Sequence, residues 1–364
     1  MCFLMNIKHK GLLVVLLGLP SFNSFAQVDF DREVRPILSN HCFACHGPDE
    51  KQRKAKLRLD LKDGLFGERE TVLVVAGKPE ASELFLRISH DDLEERMPPK
   101  KSPKPLTSSQ VNTIKEWIEQ GAKWEDHWAY APPMRPPLPN KGKDLSPIDQ
   151  FILARLQENE LPPAPATDPR TLVRRLHLDL IGLPPKSAVV DAFASDPSPV
   201  SYDQLIDDLL ASPHFGERLA LPWLDLVRYA DSVGYQKDKL RECWLYRDYL
   251  IRAFNENKPY DRFVIEQLAG DLLEGDPLEQ RSWLIASGFN RMNQTTSEGG
   301  AQAKEYVAKY AADRVRNTAA IFLGSTMGCA ECHDHKYDPF TTRDFYAFAA
   351  FFADVKEPGV GYPA

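Results

Sequence analysis

Asn40-His41-Cys42-Phe43-Ala44-Cys45-His46-Gly47 decides how this chain reads. Its central pattern, two cysteines three apart with a histidine directly after the second, returns as Cys329-Ala330-Glu331-Cys332-His333. From the chain's own Cys and His counts, such a pattern is expected by chance only about 2 × 10⁻³ times. Two thiols one helical turn apart can each add to a haem vinyl group while the adjoining imidazole reaches the iron. Cys42 and Cys45 are therefore read as covalent anchors of a haem c, and His46 as its first axial ligand.

Outward from that turn, Phe30, Val34, Ile37 and Leu38 follow helical spacing and lead into Cys42. Downstream, Thr107-Ser-Ser-Gln110 has the form of a capping box. Val111, Ile114 and Ile118 then line one helix face, and Gly121 supplies a stop. Two amphipathic helices thus bracket a small domain of class I-like cytochrome c character. Its iron needs a sixth ligand. Met97, in Arg96-Met-Pro-Pro99, stands in a Pro-stiffened loop among charges, a poor place for a core residue, and a thioether there raises the reduction potential. His90 is the rival ligand, and His41 a weaker one because it adjoins Cys42. The basic run Lys51 to Arg58 reads first as a solvated face, and second as a surface able to steer an acidic partner.

Residues 1–26 read as a secretory signal: Lys8 and Lys10 precede the apolar run Leu12 to Leu19, and Ser24-Phe25-Ala26 suits cleavage before Gln27. Apart from this short run, no stretch is long and apolar enough to span a bilayer, which predicts no transmembrane segment after cleavage and a periplasmic or other extracytoplasmic location. Removing two Lys and no acid takes the net charge from -7 to -9, which argues against a nucleic-acid partner held through phosphates. Cleavage also removes Cys2, leaving the four patterned cysteines and Cys243, no even framework of disulfides. Cys243 reads as a small buried hydrophobe.

The 29 prolines punctuate the remainder. Ala131-Pro-Pro-Met-Arg-Pro-Pro-Leu-Pro139 cannot be helix interior or central strand, so residues 131–145 are read as a linker. It divides a cytochrome domain (27–130) from a larger all-helical domain (146–364). Ser146-Pro147 and Asp168-Pro169 read as helix N-termini, and further helical runs cover 202–210, 215–229, 244–254 and 263–272. The fold class is mainly α. The polar clusters at Trp223 to Asp231, at Arg314 and Arg316, and at His177 and Asp179 read as ion pairs or satisfied core groups.

Three readings of Cys329, Cys332 and His333 stay open. One is a second haem, with Met327, His177 or His214 as sixth ligand or with that position vacant. Another is a zinc site adding His335. The third is a disulfide. The full pattern favours the haem.

Residues 29–128, with Leu57-Arg-Leu-Asp60, Gly77-Lys-Pro79 and Arg96-Met-Pro-Pro-Lys100 around the first pattern, resemble the planctomycete-type cytochrome c domain. His177-Leu-Asp-Leu-Ile-Gly-Leu-Pro-Pro185, Trp223 to Asp231 and Cys329 to Pro339 resemble the helical domain of unknown function 1549. The resemblance implies haem c in the first domain, assigns no activity to the second, and implies a further C-terminal domain that a chain ending at Ala364 lacks. The expected function is electron transfer with a redox partner protein. An oxidoreductase acting in the second domain and a polymer- or surface-binding module remain as alternatives.

Overall fold

The computed structural model describes residues 27–125, 127–139, 145–234, 238–296, 298 and 300–356. The signal segment 1–26, with Cys2, and positions 140–144 of the linker lie outside the described residues. The chain forms two compact units that divide between Ala129 and Tyr130. Both are helical, and among the described residues the sole extended pairing is an isolated bridge between Ser232 and Leu240.

The first unit holds α1 (Arg35–His41), α2 (Phe43–His46), α3 (Lys62–Phe66), α4 (Glu83–Ser89) and α5 (Ser108–Glu119). A π-helical turn, Phe30–Val34, opens it, capped by the Asp29 carboxylate, which accepts from the Arg32 amide. Phe30, Val34 and Leu38 recur every four residues, so they share one face, and all three are buried. They meet Ile114, Trp117 and Ile118 of α5, also buried, each such side chain contributing about 1.5–3 kcal/mol on leaving water. The two helical stretches run antiparallel: Phe30 meets Trp117 near the end of α5 in a tilted ring contact, at 5.3 Å between centroids, while His41 reaches Gln110 near its start.

The Thr107 capping box is present, with the Gln110 amide donating to the Thr107 hydroxyl at 3.3 Å and the Gln110 side-chain oxygen accepting from the Thr107 amide at 2.9 Å. Thr107→Ala is expected to remove about 1 kcal/mol from α5. Amide exchange of its first turn, measured by mass spectrometry, should then quicken about fivefold. Unchanged exchange would show that the cap contributes nothing.

The second unit contains α6 (Pro147–Glu158), α7 (Pro169–Leu180), α8 (Ser187–Ser195), α9 (Pro199–Leu210), α10 (Pro213–Leu226), α11 (Trp244–Asn255), α12 (Tyr260–Ala269), α13 (Pro277–Ala286), α14 (Ala303–Thr318) and α15 (Thr342–Ala350). Helices α10 and α11 pack most intimately. A Cβ at Gly216 would stand 2.3 Å from the Ile251 carbonyl, so only glycine admits this approach, and the Gly216 amide donates to Asn255 at 2.7 Å. Around them Tyr246, Tyr249, Leu250 and Phe263 form one core. A separate core of Ala312, Val315, Ala319, Met327, Ala330 and Phe345 lies beneath the second Cys-His pattern.

Candidate functional site

Helix α1 ends at His41, and its last carbonyls carry the chain straight into the first pattern. The Cys42 amide donates to Leu38 at 2.8 Å, and the Cys45 and His46 amides both donate to the Cys42 carbonyl, at 3.0 and 2.8 Å. Cys42, Cys45 and His46 therefore share one tight turn. Gly47 follows because a Cβ there would meet the Phe43 carbonyl at 2.4 Å, and the Arg53 guanidinium braces the exit by donating to the Gly47 and Pro48 carbonyls.

The two thiols differ. Cys42 packs against the first core, and burial, reinforced by repulsion from Cys45, pushes its thiol up to about 12. Cys45 is exposed. Both are free thiols. The His46 imidazole is half-buried and titrates below its ordinary value because burial disfavours the cation. Its Nδ1 lies 3.3 Å from the Lys54 carbonyl, a contact that requires Nδ1 to donate. That tautomer leaves Nε2 with its lone pair, the form in which an imidazole ligates a metal. Two free thiols and a neutral, oriented imidazole on one turn are the donor set of haem c.

Met97 stands on another segment. Its amide donates to the Arg87 carbonyl at 2.8 Å, and Arg87 in turn pairs with Glu83 and Glu95, so the loop is fastened to α4. The side chain is 37 % exposed, on a cleft of about 520 Å³ shared with Ile88, Leu106, Ser108 and Val111. No residue of the Cys42–His46 turn lines that cleft. The rival His41 is engaged at both nitrogens, Nδ1 with the Lys104 carbonyl at 2.9 Å and Nε2 with the Gln110 amide group at 3.2 Å. His90 is exposed and folds onto Asp92.

At the second pattern a 3₁₀ turn, Met327–Glu331, replaces the α-turn, and the Cys332 and His333 amides reach the Cys329 carbonyl at 3.3 and 3.4 Å. Cys329, Cys332 and His333 are all exposed, the thiols free. The expected sixth ligands fare poorly. Met327 is buried in the core against Phe345, because this turn directs it inward, so it is corrected from candidate ligand to core residue. His177 is buried with Nδ1 on the Val173 carbonyl, and His214 pairs with Glu217 at 2.8 Å. The zinc reading is likewise corrected. Among the described residues no three His, Cys, Asp or Glu side chains gather to hold a metal. His335 spends Nδ1 as acceptor of the Tyr337 and Asp338 amides instead, at 3.3 and 2.9 Å.

The arginines of the other polar clusters are paired. Arg228 pairs bidentately with Asp313, Arg316 pairs with Glu331, and Arg314 donates to the Asn290 carbonyl. Cys243 packs on the second core and donates to the Ala230 carbonyl at 3.1 Å. It also lines an apolar pocket of about 370 Å³ with Arg241, Tyr246 and Met292, a feature that sequence reasoning missed because its walls come from segments fifty residues apart.

No helix among the described residues is long and apolar enough to cross a membrane. Comparison with curated proteins and with solved structures yields no match. Residues 42–101 match the family described as planctomycete cytochrome C, and residues 147–357 match that described as protein of unknown function (DUF1549). The first match covers the thiol-imidazole turn and Met97, and the second spans helices α6 to α15. With more than half of its length in the second match, the chain belongs to the family of unknown function DUF1549, joined here to a planctomycete-type cytochrome c domain.

Proposed function

We propose that this is an exported, extracytoplasmic haem c protein that transfers electrons, with residues 27–130 as the cytochrome domain, 131–145 as linker and 146–364 as the helical domain. The observation that carries the reading is the Cys42–His46 turn, whose imidazole is held neutral with Nε2 available. Cys42 and Cys45 would hold the haem, His46 would ligate its iron, and the bound group would supply a one-electron couple. The Lys54 carbonyl fixes the imidazole, Arg53 braces the loop, and the core that includes Phe30 and Leu38 backs Cys42. A signal segment at 1–26 accords with attachment chemistry outside the cytoplasm.

Met97 is the proposed sixth ligand. It offers a partly exposed thioether side chain on a fastened, Pro-rich loop, whereas His41 has both nitrogens engaged. Met97→Ala is expected to abolish the sulfur-to-iron charge-transfer band of the oxidised protein and to lower the reduction potential. An unchanged spectrum removes Met97 from the iron.

A second haem on Cys329, Cys332 and His333 is part of the proposal, supported by free, exposed thiols three apart with an adjoining exposed imidazole. Met327 is buried in the core beside this turn. A pyridine haemochrome assay on purified protein tests both sites: two covalent haems per chain are expected, one removes the second site, and none overturns the function.

A further inference from the structure

The five basic residues between Lys51 and Arg58 divide into two sets. Arg53 is turned inward onto the Gly47 and Pro48 carbonyls, and Arg58 forms a bidentate pair with Asp60. Lys51, Lys54 and Lys56 are exposed and, among the described residues, not ion-paired. Their loop is attached directly to the haem-anchoring turn: the Lys54 amide donates to the Cys45 carbonyl at 2.7 Å, the Lys54 carbonyl accepts from His46, and the Leu59 amide donates to the His46 carbonyl at 2.9 Å. Left-handed backbone at Ala55 and Lys56, with φ of 52° and 50°, folds the loop back beside that turn.

From this juxtaposition we infer that Lys51, Lys54 and Lys56 form the landing surface for an acidic face of a redox partner protein, placed beside the exposed Cys45. The inference rests on the haem reading of Cys42, Cys45 and His46 and names the kind of partner that site takes. Charge decides the sign. The whole chain carries -7, so its distant field favours basic partners. Within a Debye length, about 8 Å at physiological salt, the lysines nearest the approaching surface dominate. Of the acids at the rim, Asp60 is paired with Arg58, while exposed Asp49, which accepts from the Lys51 and Gln52 amides, and exposed Glu50 keep their charge, so the three lysines outnumber the two unpaired carboxylates at this edge. Three lysines fall short of the four to eight basic residues that hold a protein on an anionic bilayer, which points to a protein surface. Complementary charge of this kind sets encounter rate and orientation more than final affinity.

The experiment uses the haem-loaded full chain. Its rate of oxidation by ferricyanide, an anion, and by tris(phenanthroline)cobalt(III), a cation, is followed by stopped flow as ionic strength rises. With the lysines at the electron exit, the ferricyanide rate falls, by about tenfold, and the cobalt rate rises. Lys51→Glu/Lys56→Glu reverses both trends, while Lys186→Glu/Lys304→Glu, the same charge change at exposed sites in the second unit, does not. A ferricyanide rate that climbs with salt in the unaltered protein follows the net charge and overturns the inference. Binding gives a readout independent of electron transfer. Fluorescently labelled poly-L-glutamate should bind the full chain at low salt and lose about tenfold in affinity with Lys51→Glu/Lys56→Glu. Binding to phosphatidylserine vesicles without binding to polyglutamate would reassign the surface to a membrane and overturn it. Absence of covalent haem sinks the proposed function, yet leaves polyglutamate binding measurable, so the two failures are told apart.

Discussion

Cys42→Ala/Cys45→Ala is expected to lose one covalent haem per chain, lowering the pyridine haemochrome yield by half where both sites are filled. Alanine is the apt replacement because Cys42 packs against the first core and Cys45 is exposed, so neither change leaves an unpaired polar group inside. Helix content by far-ultraviolet circular dichroism should stay near that of the unaltered haem-free chain. The reciprocal Cys329→Ala/Cys332→Ala isolates the other site. An undiminished haem yield in Cys42→Ala/Cys45→Ala would remove the first site, whichever way the second behaves. The thiols also predict an order of reaction. In the haem-free chain iodoacetamide should modify exposed Cys45 well before Cys42, whose burial keeps it as the unreactive thiol. Equal labelling would show that the turn is open in solution.

Local signals in the sequence carried much of this fold, and their reach defines what was missed. Ser146-Pro147 and Asp168-Pro169 mark the starts of α6 and α7, where the Ser146 and Asp168 side chains accept from the Asp149 and Thr171 amides. The same signal stands at Ser198-Pro199, Ser212-Pro213 and Asp276-Pro277, and it starts α9, α10 and α13 in the same way. Helix α14 was hidden for a different reason. Its Gln302 N-cap makes no side-chain bond, and its buried face includes Arg314 and Thr318, so apolar periodicity fails even where burial is complete.

The candidate site divides along the same line. Cys42, Cys45 and His46 lie within five residues, so helical geometry alone brings them together. Two facts that bear on ligation are long-range. His41 is removed from contention by Lys104 and Gln110, partners 63 and 69 residues away, and Met327 by the core it shares with Phe345. Neither contact leaves a trace in local spacing.

Glu266→Ala is expected to destabilise the second unit by roughly 3–5 kcal/mol, the cost of breaking a buried ion pair from one side. The carboxylate is buried, and one oxygen accepts from the Tyr249 hydroxyl at 2.8 Å and from Lys258 at 2.5 Å, while the other faces Arg262 at 3.4 Å. Lys258 also lies 5.0 Å above the Tyr249 ring, and Tyr249 titrates above the usual phenol range, through burial first and the Glu266 contact second. Removing Glu266 strands the Lys258 ammonium and a buried hydroxyl in the core that joins α11 and α12. Lys258→Met in the same chain takes away the stranded cation, so the double variant should recover a substantial part of the loss. At about 2–4 °C per kcal/mol for a unit of this size, Glu266→Ala lowers the calorimetric melting temperature by roughly 6–20 °C. A shift of under about 2 °C would mean that water already screens the cluster, and that α11 and α12 are held by Tyr246, Leu250 and Phe263 alone.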